Sequence, residues 1–141
     1  MIRELRVVPD TNVLIAAQRS TSPTSPNKEF FQRWYHAQFD LLFSDDTLHE
    51  YVEKLAELGV TEQTIKKLVQ AILVLGVEVE IVHFHLRYYP EDPDDIAFIL
   101  CAVNGDATHI LSHDRHLLQL AHRYPFTICT TIEFLLGLQQ A

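Results

Sequence analysis

Leu5-Arg6-Val7-Val8-Pro9-Asp10-Thr11-Asn12-Val13-Leu14-Ile15-Ala16-Ala17 is the stretch whose reading decides the fold. Leu5 to Pro9 is a short β-branched run that ends in an acid, and Thr11 to Ala17 reads as the first turns of a helix. The order is strand, acid, helix. The same order recurs along the rest of the chain.

Lys28 to Gln38 carries Phe30, Phe31, Trp34 and Tyr35 at helical spacing, which points to core or dimer packing, and Asp40 to Phe43 follows as an apolar strand. Asp45 or Asp46 then caps a helix with Leu48, Tyr51, Val52, Leu55 and Leu58 on one stripe and Gly59 as its stop. Glu50 lies beside that stripe. Thr61 opens another helix, with Ile65, Leu68, Val69, Ile72 and Leu73 on its buried face and Gly76 at its end. Val77 to Phe84 is the next predicted strand. Ile96, Ile99, Leu100 and Val103 then mark an amphipathic helix that starts at Asp94 or Asp95 and stops at Asn104-Gly105. Thr108 to Ser112 reads as a strand, Asp114 to His122 as a helix, Phe126 to Cys129 as a strand and Thr130 to Gln139 as a helix. Strands separated by helices imply parallel pairing with right-handed crossovers. The predicted class is α/β, a three-layer α/β/α sandwich around a parallel sheet of four or five strands.

The length of 141 residues fits one domain, residues 1–141, and the apolar fraction of 48% lies in the globular range. No apolar stretch approaches the roughly 20 residues that span a bilayer. Met1 to Val8 lacks a long apolar run, so a cytoplasmic protein is expected. Cys101 and Cys129 have no partner spacing and read as buried reduced thiols. The segment Arg19 to Asn27, rich in Ser, Thr and Pro, reads as a surface loop. A net charge of −8 is unusual for a protein that binds polyanions, so composition alone argues against nucleic acid.

Asp10, Asp95 and Asp114 each stand at the start of a helix, where each alone is explained as an N-cap worth about 1 kcal/mol. A parallel sheet changes that weighing. All its strands end on one edge, so Asp10 and Asp114 must face one crevice, and Glu50 in the second turn of its helix and Asp95 in the first turn of its own can lean into it if their strands flank the first. Two such carboxylates about 4 Å apart repel by on the order of 4 kcal/mol at an effective dielectric near 20. A cation relieves that repulsion. Oxygen ligands without a nearby thiolate suit Mg²⁺ or Mn²⁺, an ion that supplies the local positive potential the chain lacks and suits phosphodiester hydrolysis.

The residues also resemble a known family. Val7-Val-Pro-Asp-Thr-Asn-Val-Leu14 looks like the strand and DTN opening of PIN domains, and Phe43-Ser-Asp-Asp-Thr-Leu-His-Glu50-Tyr51 is similar to the segment leading to the family's glutamate. Asp92-Pro-Asp-Asp-Ile-Ala-Phe-Ile-Leu-Cys-Ala102 resembles its third acidic motif, Ala107 to Leu118 its fourth, and Thr127 to Leu136 its closing strand and helix. The resemblance implies a Mg²⁺- or Mn²⁺-dependent endoribonuclease acting on RNA, most like bacterial VapC-type toxins. Asp10, Glu50, Asp95 and Asp114 become its catalytic, metal-holding carboxylates, with Asn12 and Ser112 orienting them. It also implies a cognate antitoxin and a homodimer. Three departures stand out: His113 replaces the glycine common before the fourth acid, Asp92 and Asp94 compete with Asp95, and basic residues are few. Arg19, Lys28, Arg33, Arg87 and Arg115 are the candidates for phosphate contacts, with Arg115, next to Asp114, assigned to substrate binding.

Other constellations are weaker. His109, His113 and His116 cluster with Asp114, but the chain turns there, so structural roles are expected. His49 and His113 adjoin Glu50 and Asp114 and stay outside the catalytic set. An aspartate-nucleophile phosphatase needs a second acid where Asn12 stands, and a phosphoreceiver needs a lysine that Cys129 to Glu133 does not offer. A silent PIN-like module that only binds a partner protein is the remaining rival.

Overall fold

A computed structural model describes residues 4–140; the expected domain limits at Met1 and Ala141 fall outside them. The elements follow in the order β1 (Arg6–Pro9), α1 (Thr11–Arg19), α2 (Pro26–Tyr35), β2 (Asp40–Phe43), α3 (Asp45–Glu57), α4 (Glu62–Leu75), β3 (Val77–Glu78), α5 (Ile96–Asn104), β4 (His109–Leu111), α6 (Arg115–Leu118), β5 (Thr127–Cys129) and α7 (Thr131–Gln140). A single 3₁₀ turn, Pro93–Asp95, leads into α5. The five strands pair in parallel in the order β3-β2-β1-β4-β5. This is the expected α/β architecture, with β1 at its centre.

The register shows why β1 reads as a continuous apolar run. Val7 lies beside Leu41 and His109 on one face, and Val8 beside Ile110 on the other, and both valines are fully buried. The first face meets α7, where the His109 ring stands edge-on to Phe134 with centroids 5.0 Å apart. Phe30 of α2 joins the same cluster against Phe39 and Phe134. The aromatic spacing of α2 thus serves the core: Phe30, Phe31 and Trp34 are buried, and only Tyr35 is half exposed. On the opposite face Leu42 meets the end of α5 at Gly105. Cys101 and Cys129 are free and buried, as expected. No helix among the described residues is long and apolar enough to cross a membrane.

Two elements are shorter than their sequence suggests. Val77 to Phe84 alternates like a strand, yet only Val77–Glu78 pairs with β2. Val79 still donates to the Phe43 carbonyl at 2.7 Å. Beyond it the Asn104 side chain captures the backbone, its Oδ1 accepting from Val82 and His83 at 2.9 and 2.8 Å and its Nδ2 donating to the His83 carbonyl at 2.9 Å. A side-chain amide has replaced the ladder. The helix expected over Asp114 to His122 closes after Leu118 and tightens into successive three-residue turns, Leu120 to Leu117, Ala121 to Leu118 and Arg123 to Leu120. Pro125 follows Tyr124 and disfavours helical backbone there, and Phe126 has to enter the core.

Gly105 seats α5 on the sheet. A Cβ there comes within 2.7 Å of Val79 Cγ2, 2.9 Å of the Cys101 carbonyl and 3.0 Å of Leu42 Cδ1. Gly105→Ala is therefore expected to cost about 1–3 kcal/mol through overpacking. Urea denaturation measures this, and an unchanged midpoint contradicts the close approach.

Candidate active site

The chain leaves β1 toward β2 and later returns to β4 on the other side of β1, so the switch in strand order lies between β1 and β4. Asp10 follows the first of these strands and Ser112-His113-Asp114 the second. The Asp10 amide donates to the Leu111 carbonyl at 2.8 Å, which continues the ladder to the sheet edge. There Ser112, fully buried, donates its hydroxyl to Asp10 Oδ2 at 2.7 Å and accepts the Asp114 amide at 2.9 Å. One hydroxyl orients both acids. Asp114 Oδ1 in turn accepts the His116 amide at 2.9 Å, the cap of α6.

The third segment comes over the top of α5. Asp92 caps the 3₁₀ turn by accepting the Asp94 amide at 2.9 Å, and the turn swings Asp95 inward to 5% exposure. Carboxylate oxygens of Asp92, Asp95 and Asp114 lie within 4.8 Å of one another. The neighbouring Asp94 points away, its Oδ2 3.7 Å from Lys54 Nζ. The ambiguity among these three acids is thereby ordered in space: Asp95 and Asp92 face Asp114, and Asp94 faces Lys54. Asp92, which in the sequence competes with Asp95, stands beside it in the group. Its only sequence signal is its position before Pro93, where it serves equally as a cap.

Glu50 approaches from a different side. Ser44 and Thr47 form a reciprocal capping box at the start of α3, and the Tyr51 hydroxyl donates to the Pro9 carbonyl, fixing the helix against the end of β1. Glu50 is half buried on the flank of α3. Its pKa is raised by partial burial and then by Asp94, with Glu53 and Asp92 adding and Lys54 opposing. It borders the three-acid group without joining it. Asn12 is exposed, and its side chain meets no hydrogen-bonding partner among the described residues; only its backbone amide acts on Asp10. Arg115 is exposed at the start of α6. His113 turns outward to Asn27, with Nε2 3.2 Å from Oδ1, and His49 pairs with Glu53 at 3.5 Å.

The electrostatics follow from this packing. Burial raises the pKa of Asp10, with Asp114 adding to it, while the Ser112 hydroxyl and the amides of Thr11 and Asn12 oppose. Asp95 moves furthest, from 3.8 to about 7, chiefly by burial and then by Asp10, Asp114 and Asp92, and it stands close enough to Asp114 to share a proton with it. Its Oδ2 is buried with no hydrogen-bonding partner among the described residues. A buried, unpartnered oxygen on a residue whose carboxylate is grouped with two others fits a hard divalent cation, for which all the donors here are of the right type.

The site defines a class: an α/β domain that gathers carboxylates at the switch point of a parallel sheet. The family model described as PIN domain matches residues 6–116, and the chain belongs to that family. The match takes in all the acids above and stops before β5 and α7. No curated protein matches the chain. PIN domains are generally nucleases and typically use divalent metals, and the acidic group is compatible with both.

A carboxyl whose folded pKa exceeds its unfolded value binds more protons when folded, so stability is lost as pH rises between the two values. For Asp95 that window runs from 3.8 to about 7. Metal-free protein in EDTA is therefore expected to melt lower at pH 8 than at pH 5. Asp95→Asn flattens this slope and stabilises the metal-free form at pH 8 by about 1–2 kcal/mol. Thermal melts of both proteins at both pH values test it, and parallel pH dependences contradict it.

Proposed function

We propose that this protein is a metal-dependent endoribonuclease that hydrolyses RNA phosphodiester bonds. The observation that carries the reading is the group Asp92, Asp95 and Asp114, in which Asp95 also has a buried, unpartnered Oδ2, with Asp10 tied to the segment of Asp114 through Ser112.

Asp95, Asp114 and Asp92 are the residues that would hold a Mg²⁺ or Mn²⁺ ion, with Asp10 and Glu50 at its margins. When bound, the ion supplies positive charge to a scissile phosphodiester and lowers the pKa of an attacking water. The chain's own part is positioning. Ser112 holds Asp10 and Asp114 in one orientation, and burial keeps Asp10 and Asp95 free of competing solvent. Arg115, exposed beside Asp114 and without an ion pair among the described residues, supplies a phosphate contact.

The narrower reading is a VapC-like toxin acting in the cytoplasm, blocked by a cognate antitoxin and assembling as a homodimer. It rests on the sequence resemblance. What supports a protein partner is the surface: Leu73, Val74 and Leu75 at the end of α4, and Val82 and Phe84 after β3, expose apolar side chains that a partner can cover.

Cleavage of single-stranded RNA by purified protein, with 5′-phosphate ends and dependence on added Mg²⁺ or Mn²⁺, is the expected result. Asp95→Asn and Asp114→Asn lower kcat/KM by about a hundred-fold or more, comparable to losing one preorganised charge-stabilising group. Ser112→Ala acts through its two neighbours and weakens Mn²⁺ binding by about ten-fold. Product analysis and calorimetry measure these effects. Absence of metal-stimulated cleavage in antitoxin-free protein contradicts the reading, and Mn²⁺ binding indifferent to Asp95→Asn favours a silent binding module.

A further inference from the structure

The eleven lysines and arginines are not used alike. Arg6, Arg33, Lys54 and Lys66 each pair with a carboxylate. Arg87 and Arg123 have no such partner among the described residues; both guanidinium groups lie instead over the ring of Tyr88, at 5.9 and 5.1 Å from its centroid. Two like charges gathered on one ring, without a carboxylate partner among the described residues, are left available to an anion, with Asp106 the acid that lines the adjoining cavity. The ring itself is fixed: the Tyr88 amide donates to the Tyr124 hydroxyl at 3.2 Å, that hydroxyl donates to the Tyr88 carbonyl, and the Tyr124 ring stacks on Phe126 at 5.1 Å.

Beside this platform opens a cavity of about 400 Å³, lined by His85, Arg87, Val103, Asp106, Tyr124 and Phe126 among others. Its walls combine aromatic and aliphatic side chains with a few polar edge groups, the usual make-up of a small-molecule or base pocket. The same segment runs on to the acids. Tyr88 precedes Asp92 by four residues, so their Cα atoms lie within roughly 15 Å. Glu91 Oε2 meets His116 Nδ1 at 2.9 Å, two residues past Asp114, and so ties this segment to α6.

We propose that the cavity and the Arg87–Tyr88–Arg123 platform form a binding subsite for single-stranded RNA, with a backbone phosphate between the two guanidinium groups and an unstacked base in the cavity. The subsite rests on the nuclease reading above and deepens it, because it names a hold on the single strand away from the scissile bond. A single strand can unstack a base to fill the cavity, whereas a duplex keeps its bases paired and stacked. The platform also answers the objection from a net charge of −8: the positive charge is local, and although the cavity opens at the sheet edge where β4 and β5 begin, opposite the acids, the segment that carries Arg87 runs on to Asp92.

Fluorescence anisotropy with a labelled single-stranded RNA oligonucleotide in EDTA separates binding from cleavage. The double variant Arg87→Gln, Arg123→Gln is expected to bind about ten-fold or more weakly, and its dependence of log affinity on log salt to fall by about 0.7 per guanidinium lost. Tyr88→Phe keeps the ring and retains binding. Lys67→Gln, which removes one charge from the exposed surface of α4, leaves affinity unchanged. Wild-type affinity in the double variant at an unaltered melting temperature overturns the proposal, as does an equal loss per charge in Lys67→Gln. Should the double variant fail to fold, the exposed Arg87→Gln alone gives the same reading at smaller amplitude. Wild-type protein that binds RNA through these arginines but never cleaves it when metal is added overturns the nuclease reading and leaves the subsite standing. Cleavage with binding indifferent to both arginines does the reverse.

Discussion

The Ser112 hydroxyl, donating to Asp10 and accepting the Asp114 amide, is the contact on which the site depends. It joins the ends of β1 and β4, the two strands between which the sheet order reverses, and it does so from a fully buried position. Backbone amides hold each acid separately, His116 on Asp114 and Thr11 and Asn12 on Asp10, but among the described hydrogen bonds it is this hydroxyl that joins the two segments. Through it the direction of the Asp10 carboxylate and the start of the α6 turn are linked by one side chain. The 3₁₀ turn before α5 then brings Asp95 down onto the pair, and burial raises the cost of leaving its charge uncompensated.

The rest of the fold places those segments. Gly105 lets the far end of α5 settle onto Leu42 and Val79, so the near end of the same helix can hold Asp95 over the switch point. Tyr51 reaches from α3 to the Pro9 carbonyl, one residue before Asp10, which brings Glu50 to the edge of the acidic group but not into it. The difference between Glu50 and Asp95 is one of reach and burial. Glu50 sits in the second turn of α3 and Asp95 at the start of α5, and only Asp95 is driven inside, by a turn that has Asp92 as its cap and Asp94 diverted to Lys54.

Much of this was legible in the chain. The β1 run could be read as a buried parallel strand because both of its faces are apolar, and Asp10 follows it directly. Asp114 was equally plain after β4. Asp92, Asp94 and Asp95 could not be told apart, because three acids around one proline differ only in which way a single turn faces them. The length of β3 was hidden for another reason: Val77 to Phe84 has a strand's alternation, and what ends the strand is Asn104, twenty-one residues beyond His83 in sequence. Local pattern carries no information about such a capture. Asn12 shows the converse, a residue whose role came from resemblance and whose exposed side chain meets no partner among the described residues.

Charge composition misleads for a related physical reason. A net charge governs the field far from a protein, but beyond about 8 Å at physiological ionic strength exposed charges are largely screened. What a phosphodiester meets is the local arrangement. Here Lys54 is occupied by Glu57 and Asp94, while Arg87, Arg115 and Arg123 have no carboxylate partner among the described residues and belong to the segments on either side of the acids. Part of the anionic excess is gathered in the group Asp92, Asp95 and Asp114, where a divalent ion would neutralise it, while Asp45, Asp46, Glu78 and Glu80 line a separate hollow. An acidic chain can therefore hold a polyanion, provided that its positive charge is left unpaired near the site and its negative charge is gathered where a cation binds.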